Sequence, residues 1–226
     1  MTVPILAGDS ITLSLGGRAI LQSAYVDAVS GAITALVGRS GCGKTTFFKV
    51  LVGERKAEGG HVRWHGVRLS RPRLATLARD GLFYHPDRAW LARHLTFNEH
   101  LSMLRDANWE TAVDAFGAGR WLARKVGTLS EGELRLTELA FGFALQPDVA
   151  ILDEPFRGLE PLHREHLARG LRDLADRGTA ILYADHDVES VRQTADRLFS
   201  MEGGATRMVE GFKARPLHEW YHAWPR

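Results

Sequence analysis

The stretch Gly38–Thr46, GRSGCGKTT, follows the apolar run AITALV (32–37) and precedes FFKVLVG (47–53). An apolar run of this length reads as a buried strand, and Phe47, Phe48, Val50, Leu51 and Val52 have helical spacing. Gly38-x-x-x-x-Gly43-Lys44-Thr45 is therefore a glycine-rich loop between a strand and a helix, the setting of a P-loop. Glycines let main-chain N–H groups turn toward phosphate oxygens, and the start of the helix adds positive potential. Gly38, Ser40, Gly41, Gly43, Lys44, Thr45 and Thr46 are the candidate phosphate-binding residues. Lys44 is placed to reach the β- and γ-phosphates, and the Thr45 hydroxyl to ligate Mg²⁺. Cys42, the chain's one cysteine, fills a variable slot in the loop and excludes an internal disulfide or a multi-cysteine metal site.

The composition sets few further bounds. The 226 residues fit one large domain, or one domain with an inserted lobe. A net charge of +2 gives no ground for a nucleic-acid partner or an anionic membrane surface. No apolar run approaches the roughly 20 residues of a membrane span, and MTVPILAGDS lacks the form of a secretory signal, so the expected location is cytoplasmic. Short β-rich runs open the chain (SITLSLG, RAILQSAYVDAV), and GGHVRWHGVRLS alternates between glycine turns like a hairpin. From about Trp90 to Lys125 the spacing predicts amphipathic helix. Beyond it, the buried strands VAILD and TAILYAD flank a charged helix, LHREHLARGLRDLADRG. That alternation predicts an α/β fold with a largely parallel sheet.

AILDEP delivers Asp153 at a strand's end, where it can hold the water shell of Mg²⁺, and Glu154 next to it, where it can orient or deprotonate a water. TLSEGELRLTELAFGFALQPD lies just upstream, with Ser130 and Asp153 separated by 23 positions. LSEGE resembles the LSGGQ signature of ABC-type ATPases, FRGLEP stands in the place of the family's D-loop, and YADHD supplies His186 after the next strand. P-loop, signature, Asp-Glu-Pro, D-loop and histidine occur in the family's order over almost the whole chain, which is similar to the nucleotide-binding subunit of an ABC transporter. DEPFRGLEP and ADHDVESV are most similar to the branched-chain amino-acid and lipopolysaccharide-export subunits.

The resemblance implies a P-loop NTPase with a RecA-like core and an antiparallel β subdomain (about 1–86 and 147–226), and an inserted helical signature subdomain (about 87–146). It implies ATP and Mg²⁺ as ligands, Glu154 and His186 as catalytic residues, and two subunits closing head to tail on two ATPs. Ser130 and Gly132 then contact the γ-phosphate held by the partner. The partner is another such subunit, identical or different, together with a transmembrane subunit that attaches the pair to the inner face of the membrane.

Three positions depart from the family. Counting back from Gly31 to the aromatic that stacks on adenine lands on Leu15, so aliphatic contact with the base is expected there. In GLFYHPDRAW the family's glutamine is Asp87, which can ligate Mg²⁺ or turn aside to pair with Arg88. In the signature, Glu131 replaces a glycine and Glu133 the final glutamine, and carboxylates in a helix's first turn also read as simple capping. Together they predict slow or partner-dependent hydrolysis. A transporter's energy-coupling subunit is the leading reading. The alternatives are a weakly hydrolysing regulatory subunit of a heteromeric complex and a soluble ABC ATPase without transport.

Several further features stay with bland readings. The pairs His163/His166 and His218/His222 have helical spacing but lack companions for a zinc site. Arg68, Arg71 and Arg73 read as a solvated loop. Trp90, Trp109 and Trp121 fit either lobe core or a groove for a membrane partner, and Leu217, Trp220, Tyr221 and Trp224 fit a packed stripe.

Overall fold

The computed structural model describes residues 3–104 and 109–212. The C-terminal histidine pair and aromatic stripe lie outside the described residues.

Two sheets organise the chain. β1 (Leu6–Leu15), β2 (Arg18–Ala28), β4 (Gly59–Trp64) and β5 (Val67–Leu69) form an antiparallel sheet in the order β2-β1-β4-β5. The second sheet takes β3 (Ile33–Val37), β6 (Leu82–His85), β7 (Val149–Asp153), β8 (Ala180–Asp185), β9 (Arg197–Glu202) and β10 (Ala205–Met208). Its order is β10-β9-β3-β8-β7-β6, parallel except for the β9–β10 edge pair.

The parallel strands are apolar on both faces because both are covered. Ile33, Ala35, Ala150, Leu152, Ile181 and Tyr183 face one core, packed by α4 (Glu110–Ala115), α5 (Glu131–Ala144), α6 (Pro161–Asp176) and α7 (Val188–Thr194). Leu36, Val149, Ile151, Leu182 and Ala184 face the other, shared with α1 (Lys44–Leu51), α2 (Leu74–Arg79) and the antiparallel sheet. Phe47 and Phe48 of α1 are fully buried there, each contributing roughly 1.5–3 kcal/mol. Tyr25 is half-buried in the same layer, tilted against Phe199 with its hydroxyl on Asp27 (3.0 Å), and burial followed by Asp27 pushes the phenol up to about 12.

Between β6 and α5 the structure corrects the sequence. The predicted helix over Trp90–Lys125 is broken among the described residues into α3 (Phe97–Leu101), α4 and a short 3-10 turn, Ala118–Trp121, with a second such turn, Val126–Thr128, just beyond the predicted span. The apolar spacing is real, since Phe97, Leu101, Val113, Phe116 and Trp121 are all buried. Gly117 takes a left-handed φ of 63°, and Gly127 lets the chain pass the Arg93 carbonyl, where a Cβ would come within 2.8 Å. A continuous helix cannot carry the left-handed Gly117.

Arg68, Arg71 and Arg73 are exposed, as the solvated reading expects, but Arg68 lies in β5 and not in a loop. Trp121 is core and Trp109 packs on its edge, whereas Trp90 is 40% exposed while touching Phe83 and Phe141. No helix among the described residues is long and apolar enough to cross a membrane.

Candidate functional site

The parallel register decides what meets at the sheet's C-terminal edge. Val37 pairs with Asp185 and Asp153 with Ala184, so the chain leaves β3, β7 and β8 side by side. Ligands bind in the crevice beyond such ends.

From β3 the chain enters the glycine loop. Gly41 and Gly43 have φ of 77° and 117°, conformations that L side chains rarely adopt. Gly38 lies so close to Met201 that a Cβ would come within 2.5 Å of its carbonyl. Lys44 is buried and begins α1, and its Nζ donates to the carbonyls of Gly38 (2.7 Å) and Arg39 (3.3 Å), spanning the loop's mouth.

Thr45, one residue on, donates its hydroxyl to Asp153 Oδ1 at 3.1 Å. Asp153 is buried, and that burial pushes its carboxyl up to about 6, with the Thr45 bond pulling the other way and Asp87 and Glu154 pushing with it. A buried carboxylate with one hydroxyl donor is under-compensated. A hydroxyl and a carboxylate 3.1 Å apart, beside a phosphate loop, are the protein donors that Mg²⁺ uses with substrate phosphates. The donor set fits the ion. Among the described residues no cluster of three or more His, Cys, Asp or Glu side chains could hold a metal alone, and the His163/His166 pair gains no companion.

Glu154 has a φ of 50°, a strained region for a residue with a Cβ. Three hydrogen bonds fix it there. Its N–H donates to Ala184 O (2.9 Å), and its carbonyl accepts from Arg135 Nη1 (2.8 Å) and from the Arg157 N–H (3.2 Å). The side chain stands beside His186 Nδ1 (3.8 Å) and Arg157 Nη1 (3.7 Å), near both and hydrogen-bonded to neither. Behind them Asp185 is fully buried. Its Oδ1 accepts from the N–H groups of His186 (2.7 Å) and Asp187 (3.0 Å), and its Oδ2 from Phe156 N–H (3.3 Å), so one carboxylate ties together the turns that carry Glu154 and His186.

The signature segment caps α5. Ser130 is the N-cap, accepting from Glu133 N–H (3.3 Å), while Glu133 Oε2 accepts from Ser130 N–H (2.8 Å). Glu133 is thus explained as the second half of a capping box, reinforced by Arg124 at 3.0 Å. Gly132 is buried against α6, where a Cβ would lie 2.6 Å from His163 Nδ1. Glu131 is exposed and rests its carboxylate beside Gly158, so its charge lies against the D-loop turn.

Asp87 pairs with Arg157 (2.5 Å) and approaches Arg135 (3.5 Å). An ion pair at Asp87 was one of two expectations, but its partners are distant in sequence and neither is Arg88. Leu15 ends β1 next to the Gly16–Gly17 turn, 38% exposed, and the residues that approach the phosphate loop at Gly43 are Ile20 and Leu21 of β2 and Met201 of β9.

Sequence reading missed Arg135, Arg157, Asp185 and Glu138. Glu138 is buried in α5, where it accepts from Trp90 N–H (2.6 Å) and Leu91 N–H (3.2 Å) and meets His85 Nε2 at 3.2 Å. The available signal was an Arg and a Glu one turn apart among the leucines of α5, and an aspartate on each side of His186.

A phosphate loop, a strand-end Asp-Glu and a capped signature helix around a parallel sheet define a P-loop nucleotide hydrolase of the cassette kind. The family described as ABC transporter matches residues 21–157. The aliphatic sulfonates import ATP-binding protein SsuB 1 of Streptomyces avermitilis is 34% identical over 206 residues, covering 87% of this chain and 72% of that protein. The lipopolysaccharide export system ATP-binding protein LptB of Haemophilus influenzae is 27% identical over 211 residues, covering 88% of each. A nucleotide-free ATP-binding cassette from an ABC transporter shares the fold, with a TM-score of 0.79 over 90% of each chain at 22% identity. The chain belongs to the ABC transporter family as an ATP-binding, ATP-hydrolysing subunit. The lipopolysaccharide-export resemblance is matched by LptB, and relatives named for import align equally well.

Proposed function

We propose that this chain works as one nucleotide-binding domain of a closing dimer, with residues 87–146 acting as its signature lobe, and that it is held at the cytoplasmic face of a membrane by a transmembrane partner. Gly38, Ser40, Gly41, Gly43, Lys44 and Thr46 hold the ATP phosphates, and Leu15 offers an aliphatic wall to the adenine. Thr45 and Asp153 hold Mg²⁺, which when bound neutralises charge on the β- and γ-phosphate oxygens. Glu154 orients a water and takes its proton, and His186 stands beside it to contact the γ-phosphate. Ser130, whose Oγ accepts one bond within the capping box, keeps its hydroxyl proton for a phosphate on the opposing subunit. Gly132 lets that helix start sit close. Asp87, engaged by two arginines, is left out of the metal set.

What supports the reading is the shared edge: the register of β3, β7 and β8 brings Lys44, Thr45, Asp153, Glu154 and His186 to one crevice. Wild type and Glu154→Gln are compared by size exclusion and by phosphate release, with and without Mg-ATP. Removing a general base costs roughly 10²–10⁴ in rate. The expected result is an ATP-dependent dimer in the variant and turnover only in wild type. If neither protein dimerises or hydrolyses, the homodimeric reading fails and the site needs a different ATPase subunit.

A further inference from the structure

Asp87 and Arg157 are 70 residues apart in sequence and make a 2.5 Å ion pair. Arg157 is more than half exposed, on the turn that follows Glu154. An arginine so exposed samples many rotamers unless something holds it. Here the Asp87 carboxylate holds the guanidinium, while the Arg157 main-chain N–H is bonded to the Glu154 carbonyl at 3.2 Å. Held this way, Arg157 Nη1 also stands 3.7 Å from Glu154 Oε2.

A second arginine closes the ring. Buried Arg135 donates from Nη1 to the Glu154 carbonyl at 2.8 Å and approaches Asp87 with Nη2 at 3.5 Å. Asp87 is thus linked to Glu154 twice, through the side chain by Arg157 and through the main chain by Arg135. Two carboxylates and two guanidiniums balance in charge. Asp87 is itself fixed in place, because the loop beyond it hangs from buried Glu138 by the N–H groups of Trp90 and Leu91.

We propose that Asp87 seats Arg157, and that Arg157 is a positioning residue for Glu154, the pair replacing a neutral glutamine sensor with an ion-paired one. A cation bound at Asp87 would have to displace one guanidinium and sit beside another, which like-charge repulsion disfavours. The proposal rests on hydrolysis by Glu154, the reading given above.

The test measures steady-state hydrolysis, Mg²⁺ dependence and fluorescent-ATP binding for wild type, Asp87→Asn, Arg157→Gln, Arg157→Lys and the double variant Asp87→Asn/Arg157→Gln. Thermal melts of each check that the fold is kept. Each neutralised single variant should lose roughly ten- to a hundredfold in kcat, the scale of a misplaced catalytic group. KM and the Mg²⁺ half-saturation should stay within about twofold, and the double variant should be no slower than the worse single one. Arg157→Lys keeps the charge and should recover part of the loss. If Asp87→Asn raises the Mg²⁺ requirement tenfold or more and Arg157→Gln does not, Asp87 is a metal ligand and the proposal is overturned. Losses that multiply in the double variant overturn it as well. A wild type that binds Mg-ATP yet never hydrolyses it sinks the hydrolysis reading first, and the pair with it.

Discussion

The candidate site has two walls built on different terms. On the phosphate wall, recognition belongs to the main chain, and residue types follow from geometry: Gly41 and Gly43 at positive φ, Gly38 with no room for a side chain, Lys44 at the first position of α1. On the second wall, from Asp87 to the start of α5, contacts run through side chains, and charged groups stand where the family uses neutral ones. Each substituted carboxylate there has a local explanation. Asp87 has Arg157 and Arg135, Glu133 has Ser130 and Arg124, and Glu131 lies beside the Gly158 turn. Main-chain recognition leaves little freedom in sequence, whereas side-chain recognition can be re-encoded when a counter-charge arrives with the change.

The largest expected effect is on the re-encoded wall. Glu138→Ala strands the N–H groups of Trp90 and Leu91 and leaves His85 Nε2 without its partner, the last two in buried surroundings and Trp90 in part-buried ones. The expected loss is about 3–5 kcal/mol by urea unfolding. A loss below about 1 kcal/mol would show that the loop carrying Asp87 is held by other means, and the two walls would be less different than they look.

Next comes a change that stabilises the phosphate wall. The raised carboxyl of Asp153 means that its ionisation opposes folding. Its contribution is most favourable below the ordinary value of 3.8 and worsens as pH rises through about 6. Above that pH the cost is roughly 2–3 kcal/mol. Asp153→Asn, measured in EDTA at pH 7.5, should therefore be more stable than wild type by about that amount. The gain should shrink toward zero near pH 4, and hydrolysis should be lost. A destabilised variant would mean that the carboxylate is better compensated than its surroundings imply.

These two sites also differ in how legible they were. Asp153 could be read because an apolar strand ending in Asp-Glu after a glycine loop leaves little else to expect. Glu138 could not, since its main-chain partners lie 48 and 47 residues away and only the folded sheet brings them under α5. The same limit explains Asp87. A carboxylate at the family's glutamine position was visible as a departure, and a local pair with Arg88 was the natural expectation. The actual partners come from the D-loop and α5. Over Trp90–Lys125, apolar spacing found the buried residues and missed the breaks, because periodicity carries no account of where Gly117 must bend. The strand order was legible only as a parallel α/β class. The register that sets Val37 against Asp185 belongs to tertiary packing.

A smaller effect separates two roles of one glycine. In Gly132→Ala the new methyl group would overlap His163 Nδ1, which can relax by rotating the ring. The expected cost is about 1 kcal/mol, at the low end for overpacking, and His163→Ala should relieve it. If hydrolysis falls far more than stability and His163→Ala restores only the stability, close approach to the opposing nucleotide is what demands the glycine.

Glu133 gives the finest test of the comparison, because its replacement can restore the family's residue. Glu133→Ala removes the return bond to Ser130 N–H and the Arg124 pair, and should cost about 1 kcal/mol, the usual worth of such a cap. Glu133→Gln keeps an acceptor for Ser130 N–H and gives up only the ion pair with Arg124, a half-exposed pair worth at most about 1 kcal/mol and often much less. The glutamine variant should therefore melt within a degree or two of wild type, and its hydrolysis rate should be unchanged if the carboxylate serves the cap alone. A rate increase of severalfold with unchanged stability would instead assign Glu133 a repulsive influence on phosphate. The charge on this wall would then restrain turnover rather than merely being tolerated.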